Sequence, residues 1–288
     1  MGDLEAMGML KMDFLGLRTL TIVAETRRLI AESGLPVPDV EADKIDTNDP
    51  KTYKLLTDGL TQGIFQFGSG GMQRLLKRLE PSCIEDLIAV VALYRPGPLD
   101  GGMVDDFVEC KHGRQTATYP HPAFEPILKP TYGIIVYQEQ IMRILHSIAG
   151  MSMAKALSTI KAISKKKEAK IEAGHTQFVE GAMERGLDKK TAEEVFDLIL
   201  AFAGYGFNKA HASAYAFLAY TTAYLKAHYP TQFMAASISC EMGDSDEVVA
   251  LMDDCKEMGL EVLPPDVNES RENFTVVGDN RLRFGLGA

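Results

Sequence analysis

The sequence predicts a mainly α-helical protein (α+β overall), and three observations carry that reading. From residue 50 to about residue 258 the pattern is mostly helical, with Asp, Ser or Asn at the starts and Gly or Pro at the stops. Strand signals are confined to residues 9–15, a few short interior segments and the last thirty residues. The chain has 288 residues, 46% hydrophobic and 24% charged, which allows a buried core and argues against global disorder.

At the N-terminus, Leu10, Met12 and Phe14 alternate with Lys11 and Asp13. Period two puts the apolar side chains on one face of a strand and the Lys/Asp pair on the other. A helix is expected from Thr19 to a Gly34 C-cap. Residues 35–49 hold Pro36, Pro38 and several acids, and read as a connector and domain boundary. Asp49-Pro50 starts a helix, with Asp as N-cap and Pro in its first position. Pro81 stops the helix that carries Arg74, Lys77 and Arg78, and Ser82 with Glu85 reads as a capping box for the next. Tyr94 to Pro98 reads as a rigid turn. The apolar run Ile134–Val136 enters a helix at Gln138. Further helices are expected over 191–203, over 208–228 before Pro230, and from an Asp244/Glu247 cap to Gly259. Residues 260–263, 274–277 and 281–284 read as three short strands.

The bulk numbers exclude several classes. No apolar run is long enough to cross a bilayer, and no basic-then-apolar leader opens the chain. Cys83, Cys110, Cys240 and Cys255 are scattered away from the histidines, which argues against a zinc site or a disulfide framework and fits a reducing cytoplasm. The net charge of -10 argues against a uniformly basic nucleic-acid binder, but phosphate binding needs only a local patch. Lys161, Lys165, Lys166, Lys167 and Lys170 against the single acid Glu168 supply one, as readily as they supply a solvated helix face.

Four segments carry candidate chemistry. Asp13 could hold Mg²⁺ while Lys11 neutralises a phosphate, or the two form an edge ion pair facing water. Arg74, Lys77 and Arg78 share one helical face. Gly204 and Gly206 allow a tight turn into a helix whose first residues include Lys209, and free N–H groups at such an end attract phosphate. His211, Tyr215, Leu218 and Thr222 follow on one face, with small residues between that leave room for a base pair and triphosphate or for a packed helix. Tyr137 to Gln140 is polar and aromatic at a helix start, which capping and packing account for as well as a site does.

Taken in order, several blocks resemble the alpha subunit of bacterial DNA polymerase III, the C-family replicase. They are Glu5 to Arg18, Gly63 to Phe67, Val91 to Leu99, Pro130 to Gln140, Tyr205 to Tyr215 and Leu225 to Pro230, so the resemblance spans nearly the whole chain. It implies a palm remnant over 1–34, the connector at 35–49, helical fingers over 50–258 and a small β segment over 259–288, within a longer polypeptide. It implies templated DNA synthesis from template–primer DNA and dNTPs with Mg²⁺, in the cytoplasm at the nucleoid, with the sliding clamp and other replisome subunits as partners and no membrane. Asp13 matches the third of the family's catalytic aspartates and a metal ligand; the Asp-x-Asp pair of the other two is not in this chain, so the chain alone is expected to be inactive. Lys11, Lys161, Lys209, His211 and Tyr215 are implied nucleotide contacts, and Arg74, Lys77, Arg78, Lys165, Lys166 and Lys167 implied DNA contacts. Two departures stand out. Ile160-Lys161 stands where many members have an arginine pair, so Lys161, aided by Lys165 or Lys166 one helical turn on, is expected to replace it. Gly68-Ser69-Gly70 stands where members carry a Glu-Ser-Arg run. The alternative is a helical module that binds DNA or a partner without chemistry.

Overall fold

The structure, a computed structural model, describes residue 4 and residues 7–12, 14–119, 121–204 and 206–288. It divides into two compact units, one of residues 1–45, 60–68 and 222–288 and one of residues 46–59 and 69–221. The mainly helical fold with a small C-terminal sheet is the one the sequence predicts.

In the first unit, α1 (Arg18–Glu32) turns Ile22, Thr26, Leu29 and Ile30 inward, a spacing of four, three and one that makes a single buried stripe. Its partner is a nearly all-buried helix, Pro230–Glu241. A further helix, Ser245–Glu257, is capped by the Asp244 carboxylate on the Glu247 N–H as the sequence predicts. The tail then forms three strands, β1 (Glu261–Leu263), β2 (Thr275–Gly278) and β3 (Arg281–Arg283). Their order is β1-β3-β2, with β1 parallel and β2 antiparallel to β3. Phe274 and Leu282 carry the sheet into the core shared with Phe233, Met234 and Leu251.

The strand predicted over 9–15 does not form among its described residues: 9–12 and 14–15 lie in neither helix nor strand. Alternation makes a strand only where a neighbour accepts the backbone hydrogen bonds. The sheet described is the C-terminal one, and Leu10 and Phe14 stand 83% and 91% exposed.

The second unit runs α2 (Pro50–Asp58), α3 (Gly70–Leu79), α4 (Ile84–Leu93), α5 (Pro96–Asp100), α6 (Met103–Lys111), α7 (Glu125–Leu128), α8 (Gln138–Ala149), α9 (Met153–Ser164), α10 (Glu168–Glu184), α11 (Lys189–Ala203) and most of α12 (Lys209–His228). On that count the helices of the first unit after α12 are α13 (Pro230–Glu241) and α14 (Ser245–Glu257). Asp49 caps α2 through the Thr52 N–H at 2.8 Å, as expected. The box read at Ser82/Glu85 is shifted by one residue: buried Asp86 accepts the N–H groups of Ser82 and Cys83 and pairs with Lys111 at 2.6 Å. Asp86 wins because it can satisfy the helix end and neutralise a nearly buried ammonium at once. The turn read at 94–98 continues into α5, since Pro96 is pre-set for a first helical position. Ser69, in the departure 68–70, caps α3 through the Met72 N–H, and Gly71 leaves room for the Tyr94 hydroxyl.

The core of this unit lies among α8 to α11, around Ile141, Ile144, Leu145, Ile160, Phe178 and Phe196. Two glycines a heptad apart let α10 approach its neighbours. A Cβ on Gly174 would stand 2.7 Å from Thr159, and one on Gly181 would run into the Ala149 carbonyl oxygen. Gly181→Ala gains about 1 kcal/mol of helix propensity but collides with backbone, which costs about 1–3 kcal/mol. We expect net destabilisation, read as a lower thermal midpoint; an unchanged or raised midpoint would show that α10 can shift. No described helix is long and apolar enough to cross a membrane.

Candidate nucleotide-binding face at the start of α12

Residues 136–138 and Phe207 run parallel for one bridge. Phe207 donates its N–H to Val136, and Gln138 donates to Phe207. Buried Gln140 fixes the other side of this segment. Its Oε1 accepts the N–H groups of Val136 and Tyr137, each at 2.9 Å, and its Nε2 donates to the Thr131 hydroxyl at 2.8 Å. Three neutral hydrogen bonds to one buried amide make the turn into α8 rigid. Phe207 is thereby placed immediately before α12.

Asn208 caps α12, accepting the His211 N–H at 2.8 Å. The Glu139 carboxylate accepts the Lys209 N–H at 2.9 Å, so a fixed anion already sits at this helix end. Among the described residues the Ala210 N–H meets no protein acceptor. Lys209 and His211 are both exposed. The Lys209 ammonium lies 5.3 Å from the Tyr137 ring centroid. The His211 ring stacks on Tyr215 at 4.1 Å between centroids and tilts against Phe207 at 5.5 Å. Arg95 places its guanidinium over the Phe207 ring, 4.8 Å from its centroid. Burial lowers the affinity of Arg95 for its proton and pushes the Tyr137 phenol well above its usual range, so Tyr137 is a neutral hydroxyl and Arg95 still a cation. Two cations and a shelf of aromatic rings suit a phosphate chain joined to a flat base.

The structure therefore brings Lys209, His211 and Tyr215 together with the Tyr137 segment. It adds Arg95, which sequence reasoning read only as part of a turn, and Glu139, which lay in the segment singled out at 137–140 but was given no role. Leu218 and Thr222 continue the His211 face but sink into the protein, Thr222 fully. The alanines of α12 serve packing: Ala212, Ala216, Ala219 and Ala223 are all fully buried, at spacings of four, three and four.

A second cluster is separate, with no hydrogen bond, ion pair or ring contact to the first among the described residues. Lys161, Lys165, Lys167 and Lys170 line a hollow of about 340 Å³ between α9 and α10, and none is ion-paired among the described residues. Of the two lysines expected one turn on from Lys161, Lys165 holds that place as the C-cap of α9, its N–H on the Lys161 carbonyl, and Lys166 does not. α9 ends at Ser164, and Lys166 turns the chain at φ +51 without lining the hollow. Ile160 is 1% exposed and belongs to the core, so this position does not face the hollow. On α3, Arg74, Lys77 and Arg78 are all exposed, and Arg78 pairs with Asp105 at 2.6 Å. Lys11 is exposed. Asp13 lies outside the described residues, among which no group of three or more His, Cys, Asp or Glu is placed to hold a metal.

Comparison with known proteins shows the family. The family model for the bacterial DNA polymerase III alpha subunit finger domain matches residues 19–186. DNA polymerase III subunit alpha of Pseudomonas aeruginosa is 48% identical over 99% of this chain, which covers 25% of that relative. The same subunit of Escherichia coli is 45% identical over 99% of the chain and 25% of the relative, and that of Aquifex aeolicus 46% identical over 99% and 24%. The chain thus spans about a quarter of the length of these relatives. On these matches, the chain belongs to the family of bacterial DNA polymerase III alpha subunits and carries their finger domain.

Proposed function

We propose that this segment binds the incoming deoxynucleoside triphosphate at the start of α12 and lies along template–primer DNA, as part of a DNA-directed DNA polymerase. The observation that carries the reading is the face of Lys209, His211 and Tyr215 at a helix start beside Tyr137 and Arg95. Lys209 and the Ala210 N–H take phosphate oxygens. The His211–Tyr215 stack supports a flat base without reading its identity. Glu139 keeps the first turn of α12 in register through the Lys209 N–H. The lysine hollow of Lys161, Lys165, Lys167 and Lys170 takes phosphate as well, and the exposed α3 face of Arg74, Lys77 and Arg78 lies toward the duplex backbone. In the whole polymerase the same reading gives residues 1–34 to the palm and 50–258 to the fingers. It gives Asp13 and Lys11 to the reacting end, Mg²⁺ to Asp13 as the ion that offsets charge on the transferred phosphate, the sliding clamp and other replisome subunits as partners, and the nucleoid as the place of work.

The test uses a full-length polymerase carrying this segment. A charge-assisted contact is worth about 1.5–3 kcal/mol, so Lys209→Ala is expected to raise the apparent KM for dNTP by about 10–100-fold. Duplex DNA affinity should change far less. Equal losses in both would make Lys209 a general DNA contact and overturn its place in the nucleotide site.

A further inference from the structure

Residues 61–67 of the first unit form two successive turns of one type. The Ile64 N–H returns to the Thr61 carbonyl, with Gly63 in the third position at φ +75. The Phe67 N–H returns to the Ile64 carbonyl, with Gln66 in the third position at φ +60. A type II turn wants glycine there, because a Cβ in the left-handed region meets its own backbone. The first turn obeys the rule, and Gly63 also has Leu251 3.1 Å from where its Cβ would be. The second turn spends a glutamine on the same position. The other non-glycine residues with positive φ, Glu80, Tyr132, Lys166 and Asn280, end helical segments or close the β2–β3 hairpin, where such a conformation is ordinary.

Buried polar groups hold the strained turn in place. Thr61 donates its hydroxyl to the Phe67 carbonyl at 2.6 Å. Thr222 accepts the Phe65 N–H at 3.2 Å, and Lys226, one helical turn further along α12, donates to the carbonyls of Leu60 and Gln62, each at 2.8 Å. All three of these side chains are fully buried. Gln66 itself is exposed, and its amide makes no hydrogen bond among the described residues. A rigid mount, a strained backbone and an idle amide pointing at solvent are the marks of a contact residue rather than of packing.

We propose that Gln66 is a duplex-sensing residue whose amide donates to the minor-groove acceptor of a base pair in template–primer DNA. This rests on the proposed function. The chemistry selects the target. A neutral amide can reach a phosphate oxygen, but it brings no charge to offset one, which Lys and Arg do. Glutamine against adenine in the major groove would impose a sequence preference that templated synthesis cannot use. Purine N3 and pyrimidine O2 accept at the same place in the minor groove of every pair, so one donor there checks pairing without reading sequence.

The test compares the full-length polymerase with its Gln66→Gly variant. Glycine removes the amide and suits the turn, so the thermal midpoint should hold or rise. Extension on normal primer–template should fall about tenfold, the loss of one base contact. Templates are then made with 3-deazapurine, which lacks the N3 acceptor, at each duplex position in turn. The parent enzyme should lose about tenfold at one position, and the variant should lose nothing further there. Equal sensitivity of the two enzymes at every position, or a variant that extends as well as its parent, overturns the role of Gln66 while leaving the proposed function standing. A parent enzyme that does not bind primer–template at all overturns the proposed function, and this inference with it.

Discussion

Replacing Lys226 with methionine is expected to destabilise the protein by about 3–5 kcal/mol, enough to lower the thermal midpoint by about 10–20 °C. The Lys226 side chain is fully buried and its ammonium has three acceptors, the Asp254 carboxylate and the carbonyls of Leu60 and Gln62. Burial lowers the Lys226 pKa against the pull of Asp254, and burial raises that of Asp254. Each ion therefore survives only because the other is there. Methionine fills much of the same volume but leaves a buried Asp254 that must stay ionised without a partner or take up a proton, and strips two buried carbonyls of their donor. Lys226→Met with Asp254→Leu should recover a large part of the loss, because an apolar pair carries no desolvation penalty. Chemical denaturation of the four members of this cycle is the check. A single variant as stable as the parent would mean that water reaches the site.

Lys226 also shows what could and could not be read from the chain. The helix that carries it was legible, because Pro230 ends the pattern and the spacing is regular. Its burial was not, since a lysine near a helix end reads as a solvated one and its acceptors lie 28 to 166 residues away in sequence. The three tail strands were legible within a residue or so, because β1, β2 and β3 pair with each other over a short stretch of chain. The strand over 9–15 carried an equally clean alternation and failed among its described residues, because alternation says nothing about whether a partner is present.

The same division holds at the candidate site. His211 and Tyr215, four apart, were bound to stack if the segment was helical. The Asn208 cap follows from residue type alone. Glu139 on the Lys209 N–H spans 70 residues, and Arg95 on Phe207 joins two turns that no local pattern connects. Position 160 was the avoidable miss. Ala156, Ile160 and Ile163 recur at four and three, an apolar stripe that reads as a core face, whereas Lys161 falls just outside it.

That stripe separates two neighbouring residues, Ile160 inside it and Lys161 outside. Ile160→Arg is expected to unfold the second unit or cost more than about 4 kcal/mol. The side chain is packed among Ile163, Phe178 and the rest of the core, and the buried carboxylates among the described residues, Asp86 and Asp254, already pair with Lys111 and Lys226. A buried unpaired charge loses several kcal/mol of hydration, and the larger side chain overpacks the site as well. An arginine here could not serve a phosphate without leaving the core, so the family's arginine pair cannot simply be restored in this chain. Lys161→Ala should behave in the opposite way. Its ammonium is exposed at the lysine hollow, so stability should move by no more than about 0.5 kcal/mol. Binding of template–primer DNA should weaken, and the slope of log K against log salt should fall by about 1, if Lys161 neutralises a phosphate of the duplex. Should Lys161 instead serve the triphosphate, the salt slope for DNA would stay put and the KM for dNTP would rise. Denaturation curves for both variants, with salt titrations and extension kinetics for Lys161→Ala in the full-length polymerase, decide between these outcomes. An Ile160→Arg protein with the parent's midpoint would mean that this side chain can swing out to solvent, and would return position 160 to the phosphate-binding set.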